Sequence, residues 1–217
     1  MNRSIGLAII VAGLAGASPI LLQSGVSAGE SNNQTGVNFV IPMIEPDWAP
    51  NRADGASWIS FENTGWQVIG GVGSAVITLP NATPGHPNAI FDQIFTNTAG
   101  TSLDGTITVW ADDTAGVFLD GVLLMAPNFS QQAGIHCAPI GITCTGQGTT
   151  FDFTVAPGDH TFSFEVYQTG AWTYGLMYDG SLTAESSVPE PRAYLLVGTG
   201  LAALALFRRI LARASRS

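Results

Sequence analysis

The chain has 217 residues and no lysine, with seven arginines against sixteen acids and a formal net charge of −9. Only Arg52 of the seven lies between residues 29 and 187, together with fifteen of the sixteen acids, which leaves that stretch at about −14. A surface of that sign repels nucleic acid and anionic headgroups, so neither is expected as a partner; it suits solubility in an extracellular matrix and attracts divalent cations.

At the N-terminus Arg3 precedes an apolar run over residues 5–22, and Val26-Ser27-Ala28 gives the small-x-small pattern that a signal peptidase reads. Cleavage is expected after Ala28. Ala15-Gly16-Ala17 is a second candidate, but it leaves Pro19 close to the cut and part of the apolar run in place. Residues 29–187 then make one domain, long enough for a substantial core.

Gly, Asn, Thr, Ser and Asp punctuate this body roughly every eight to twelve residues, and no segment keeps a helical period, which is the pattern of an all-β sandwich. Strands are expected over 37–41, 58–61, 67–69, 76–79 and 90–96, the first two separated by a loop that holds Glu45, Asp47, Trp48 and Asp54. From residue 105 onward the alternation is sharper. Ile107, Val109 and Ala111 fall on one face, Asp112-Asp113-Thr114 turns the chain, and residues 117–119 run back. Asp120-Gly121 supplies the positive φ angles of a tight hairpin before 122–125 returns. Phe151, Phe153 and Val155 alternate with Asp152 and Thr154, Pro157-Gly158 fits the centre of a type II turn, and Phe162, Phe164 and Val166 alternate with Ser163, Glu165 and Tyr167. A strand over 174–182 closes the set.

Cys137 and Cys144 are the only cysteines. In an exported protein such a close pair reads as a disulfide, and a metal pair would need more ligands than His136 supplies. Asp112, Asp113 and Asp120 are the strongest polar constellation. Adjacent carboxylates at a strand end suit calcium, which takes about six to eight oxygens; the same residues also read as a turn cap and two solvated acids. Trp48, Trp66, Trp172 and Tyr174 lie in or beside loops, where flat apolar faces stack on sugar rings, the competing fate being to cover the ends of the core. Within residues 29–187 there is no Gly-x-Ser-x-Gly elbow and no His-x-x-x-His pair, and His86, His136 and His160 sit in turn-rich stretches, so no catalytic residue is assigned.

The tail has its own character. Val188-Pro189-Glu190-Pro191 holds the chain extended, and an uncharged run over 193–207 follows. As a helix that run covers about 22 Å of a hydrocarbon core roughly 30 Å thick. Arg208, Arg209, Arg213 and Arg216 come next, cations that stay on the cytoplasmic side of a membrane. Motif, short apolar segment and Arg cluster, in this order, resemble the PEP-CTERM sorting signal of Gram-negative bacteria. The resemblance implies export, transient insertion in the inner membrane and processing near the motif by an exosortase, a membrane cysteine transpeptidase-like enzyme, with release or transfer of the body to the cell surface or matrix.

The stretch from Trp110 through Asp112-Asp113-Thr114-Ala115-Gly116 to Asp120-Gly121, then residues 155–162 and Gly175-Leu176, resembles the second half of galactose-binding-like jelly-roll domains. That resemblance implies an antiparallel jelly-roll sandwich. The expected organisation is a leader over 1–28, a sandwich over 29–187 and a sorting tail over 188–217. The expected role is a non-catalytic module at the cell surface or in the exopolysaccharide matrix, structural or in contact with extracellular polysaccharide. A secreted hydrolase acting on glycans is the alternative.

Overall fold

The computed structural model describes residues 19–53, 55–61, 66–69, 72–75, 81–130, 137–170 and 174–183, together with 198, 200, 201, 204 and 208; for 66–69 and 72–75 it describes the backbone alone. The chain divides into two units, Met1–Ala184 and Glu185–Ser217. In the second, Gly198, Gly200, Leu201, Leu204 and Arg208 are helical and exposed. No helix among the described residues is long and apolar enough to cross a membrane. The expected motif Val188, Pro189, Glu190, Pro191 and its companion Arg209 lie outside the described residues.

The first unit is an all-β, antiparallel sandwich. One sheet has six strands, ordered β11 (Thr149–Val155), β8 (Leu103–Asp112), β13 (Gly175–Thr183), β4 (Ile59–Ser60) and β3 (Phe39–Val40), with β1 (Ile20–Gln23) also paired to β13. The other has five, ordered β10 (Val122–Met125), β9 (Thr114–Leu119), β12 (Gly158–Tyr167), β7 (Ala89–Asn97) and β2 (Glu30–Asn32). A separate hairpin joins β5 (Trp66–Ile69) to β6 (Val72–Ala75), and the strand expected over 76–79 lies outside the described residues. From β7 onward the chain crosses repeatedly from one sheet to the other, the wind of a jelly roll. Asp120 and Gly121, at φ 51° and 77°, make the left-handed pair that the β9–β10 hairpin needs.

Period-two alternation decides what each strand buries. Ile107, Val109 and Ala111 of β8, Leu176, Tyr178 and Leu182 of β13, and Phe153 and Val155 of β11 face inward from one sheet; Phe91, Phe162, Phe164 and Val117 meet them from the other. The layers interlock through rings: Phe164 stacks on Tyr178 with centroids 4.7 Å apart, and Phe153 meets Phe162 edge-on at 4.9 Å. Each such pair adds about 0.5–1.5 kcal/mol to the burial of its area.

A second apolar cluster lies on the outside of the six-stranded sheet. Trp110 of β8 and Met177 of β13 point away from the main core and are covered by Ile41, Trp48, Trp58, Cys137 and Cys144. The two cysteines are disulfide-bonded, with Cα atoms 5.7 Å apart. Closing so short a loop stabilises by about 2.5 kcal/mol on the chain-entropy estimate.

One boundary moves. Residues 20–23, assigned by sequence to the leader, form β1 in register with Asp179–Leu182 of β13, and Leu22 is fully buried. A short apolar run has no period of its own and is read as leader or strand according to its flanks. The sandwich therefore starts upstream of residue 29.

Candidate functional site

The two halves of the outer face of the six-stranded sheet differ in chemistry. Along β8 the outward positions are Asp104, Thr106 and Thr108 before they reach Trp110; along β13, read backwards, they are Thr183, Ser181 and Asp179 before Met177. The apolar half is roofed by loops and the disulfide, and the polar half is left open to solvent. Thr150, Asp152 and Thr154 of β11 extend that half on one side and Gln23 of β1 on the other.

Two grooves run across this surface. The first, 520 Å³, lies over β8, β11 and the end of β13, and the second, 370 Å³, over β8, β13 and β1; they share Thr106 and Ser181. Gly105, whose backbone lines the first groove, turns its open side to the core, where a Cβ would lie 2.7 Å from the Phe153 ring. Hydroxyls and carboxylates are paired across strands. Thr154 Oγ1 donates to Asp104 Oδ1 at 2.5 Å, the Thr108 and Thr150 hydroxyls are 2.9 Å apart, and Gln23 Nε2 donates to Asp179 Oδ1 at 3.3 Å. Arg52, 3.6 Å from Asp179 at the border of this face, brings the one cation of the body, and its guanidinium also sits over Trp110 at 5.6 Å. The surface offers many oxygen acceptors and rotatable hydroxyls, a match for the hydroxyl groups of a neutral polyol rather than for an anion.

Two of the four predicted aromatic contacts, Trp48 and Tyr174, are not arranged for stacking on a ligand. Trp48 is 5% exposed, with its ring 4.2 Å from that of Trp58, and Tyr174 is 1% exposed and stacked on Phe61 at 4.8 Å. Both are packed in core, Trp48 in the cluster outside the six-stranded sheet and Tyr174 in the main core between the sheets. Trp66 lies on β5 opposite Ala75, and Trp172 lies outside the described residues.

The three aspartates do not converge. Asp112 ends β8, Asp113 follows it, and the two, each 1% exposed, are joined by a cis peptide bond. Asp113 Oδ2 accepts from the Thr169 backbone N–H at 2.5 Å and from its hydroxyl at 2.8 Å, while its Oδ1 is buried with no hydrogen-bond partner. Asp112 Oδ1 lies 3.7 Å from Cys137 Sγ. Asp120 sits at the far end of β9, six residues or about 20 Å of strand away, where it accepts from the Thr161 N–H at 2.9 Å and pairs with His160. A single calcium ion held by all three is thus excluded by the strand between them. Solvation fails for Asp113 as well, since its carboxylate is buried.

Sequence reasoning missed two features. The open polar face was unmarked because its residues are ordinary outward positions on three strands, and only register makes them neighbours. His160, expected as a turn residue, is a bridge: its Nδ1 is 2.7 Å from Asp120 Oδ2 and its Nε2 2.8 Å from the Ala156 carbonyl oxygen.

No protein-family profile matches the sequence, and no curated protein matches it. Among solved structures it is similar to a family 35 carbohydrate-binding module from Clostridium thermocellum at 9% identity, covering 77% of this chain and 100% of that one with a TM-score of 0.39. A family 35 module from Paenibacillus barcinonensis matches at 10% identity over 78% of this chain and 100% of its own, TM-score 0.35. The Podospora anserina GH26-CBM35 β-(1,4)-mannanase matches at 10% over 81% of this chain and 29% of its own, TM-score 0.36. Overlap this loose assigns neither family nor ligand.

Proposed function

We propose that this protein is an exported, non-catalytic module of the cell surface or exopolysaccharide matrix that contacts neutral polysaccharide through the open polar half of its six-stranded sheet. The observation that carries this reading is the pair of adjoining grooves over Thr106 and Ser181, lined mainly by hydroxyls and carboxylates of paired strands. Sugar hydroxyls both donate and accept, so such a lining pairs with them without burying an unmatched charge. The disulfide agrees with an oxidising compartment. The tail Val188, Pro189, Glu190, Pro191, Arg208, Arg209 supports delivery by an exosortase after passage through the inner membrane, with signal peptidase acting at the other end.

Calcium belongs to the same proposal, at the Asp112–Asp113 end of β8 and without Asp120. The buried Asp113 Oδ1 supports it, because a carboxylate oxygen taken out of water costs stability unless a cation or donor meets it.

The test is retention of the exported protein on the producer's own polysaccharide. Thr106→Lys with Ser181→Lys fills both grooves with long cationic chains and is expected to abolish retention while the fold persists. Retention that survives this double change, or no retention of the native protein on any glycan, sinks the reading. A glycan cleaved by the native protein would favour the hydrolase instead.

A further inference from the structure

We infer that the export leader ends at Ala17 and that the mature chain begins at Ser18, eleven residues upstream of the cut expected from Val26-Ser27-Ala28. The inference rests on the export reading above and adds to it the place of processing.

Residues 20–29 are built into the sandwich. Ile20, Leu21, Leu22 and Gln23 pair with Leu182, Ser181, Gly180 and Asp179, and the Leu22 side chain is fully buried in the main core. Ser24 is fully buried too: its N–H donates to the Tyr178 carbonyl at 3.0 Å, and its hydroxyl donates to the Ser57 carbonyl at 2.7 Å and accepts from the Tyr178 N–H at 3.0 Å. Gly25 N–H donates to Glu30 Oε1 at 2.9 Å. On either side of the Ala28–Gly29 bond, the Ala28 carbonyl accepts from Gln93 Nε2 at 2.8 Å and the Gly29 carbonyl from the Ile94 N–H at 3.0 Å. Gly29, at φ 86°, lies so close to β7 that a Cβ would sit 2.4 Å from the Ile94 carbonyl oxygen. A leader removed at Ala28 before folding would take β1 with it. That would leave a hole where Leu22 sits, an unpaired edge on β13 and the Tyr178 main chain without its partner.

The upstream cut removes none of this. Residues 5–14 are an uncharged, largely apolar run of ten, within the roughly 7–15 residues of a leader's apolar region, and Ala15-Gly16-Ala17 is the small-x-small end that follows it. The bond broken joins Ala17 to Ser18, an ordinary secondary amide: water's hydroxyl goes to the Ala17 carbonyl carbon to make the carboxyl, and the Ser18 nitrogen keeps the C–N electron pair and takes water's other proton to become the new α-amine. Pro19 is one residue beyond and biases Ser18 toward extended backbone. The part of the apolar run left uncut, Ile20-Leu21-Leu22, is a strand.

The full chain, expressed in a Gram-negative host and recovered from outside the inner membrane, tests this by intact mass and N-terminal sequencing. The expected first residue is Ser18. A start at Gly29 overturns the inference and leaves export standing; a start at Met1 overturns both. Ala17→Leu is expected to cut the yield of processed protein at least tenfold and accumulate precursor. Ala28 is exposed, so Ala28→Leu is expected to be processed like the native chain. The opposite pattern in these two variants overturns the assignment.

Discussion

His160 holds Asp120 Oδ2 at 2.7 Å through Nδ1 and the Ala156 carbonyl oxygen at 2.8 Å through Nε2. It thereby ties the tip of the β9–β10 hairpin to the turn between β11 and β12. Both partners only accept, so the imidazolium, with a proton on each nitrogen, is the form that satisfies them. Burial against Phe95 works against that charge, but the Asp120 hydrogen bond, the Ala156 carbonyl and the charges of Asp120 and Asp159 outweigh it and raise the His160 pKa above its ordinary value. A raised folded pKa gives stability that is complete below the unfolded value and is lost as pH rises through the folded one. Thermal stability is therefore expected to fall between about pH 6 and pH 8, around the ordinary histidine pKa, and Asp120→Asn is expected to flatten that slope. Melting curves across the range check it, with the His160 ring followed by NMR.

Glu30 gives a second pH signature in the acid range. Burial raises its pKa, although the Tyr178 hydroxyl at 2.5 Å, the Gly25 N–H and Asn38 all favour the carboxylate. Because the folded value lies above the unfolded one, stability from protonation is full below the ordinary glutamate pKa and is lost as pH rises through the folded value. Glu30→Gln is expected to be neutral or stabilising at about pH 7 and to lose that advantage near pH 4, below the ordinary glutamate pKa. Denaturant titration at the two pH values distinguishes this from a simple loss of hydrogen bonds, which would destabilise at both.

Trp48 is a packing residue. Trp48→Ala is expected to cost about 3–5 kcal/mol, the range for a large buried aromatic replaced by alanine. Trp48→Phe, which keeps most of the volume, is expected to retain glycan contact unchanged, and affinity electrophoresis on the folded variant reads this out. A Trp48→Phe protein that folds normally and no longer binds would restore the stacking role.

Calcium is expected to raise the melting temperature, by about 2.7 kcal/mol of added stability at a hundredfold excess over its dissociation constant. Asp113→Asn is expected to remove the effect and Asp120→Asn to leave it intact, since of the two Asp113 alone is buried with an unpartnered oxygen. Calorimetry with and without a chelator measures both.

The strands from β7 onward were legible chiefly through alternation, as Phe162, Phe164 and Val166 are buried against the half-buried Ser163 and Glu165. Of the early strands, β3, β4 and β5 fall on the stretches expected at 37–41, 58–61 and 67–69, whereas β1, β2 and β6 were not legible. β1 is four residues of mostly apolar chain adjoining a leader, and β2 is the polar triplet Glu30-Ser31-Asn32, held by its pairing with β7. The Asp-Gly hairpin announced itself through the left-handed backbone it requires. Burial of Trp48 and Tyr174 depended on loops closing over the sheet, and the separation of Asp113 from Asp120 depended on the whole length of β9. The open face left no local signal at all, because Thr106, Asp152 and Ser181 meet only through pairing between strands distant in sequence.

The central claim is that the bare polar half of the six-stranded sheet is where polysaccharide binds. Its most direct test is the change in backbone amide NMR shifts of the isotope-labelled protein as fragments of the producer's polysaccharide are added. The expected changes cluster at residues 104–108, 150–154 and 179–183; changes confined to other surfaces, or none at saturating fragment, would contradict it.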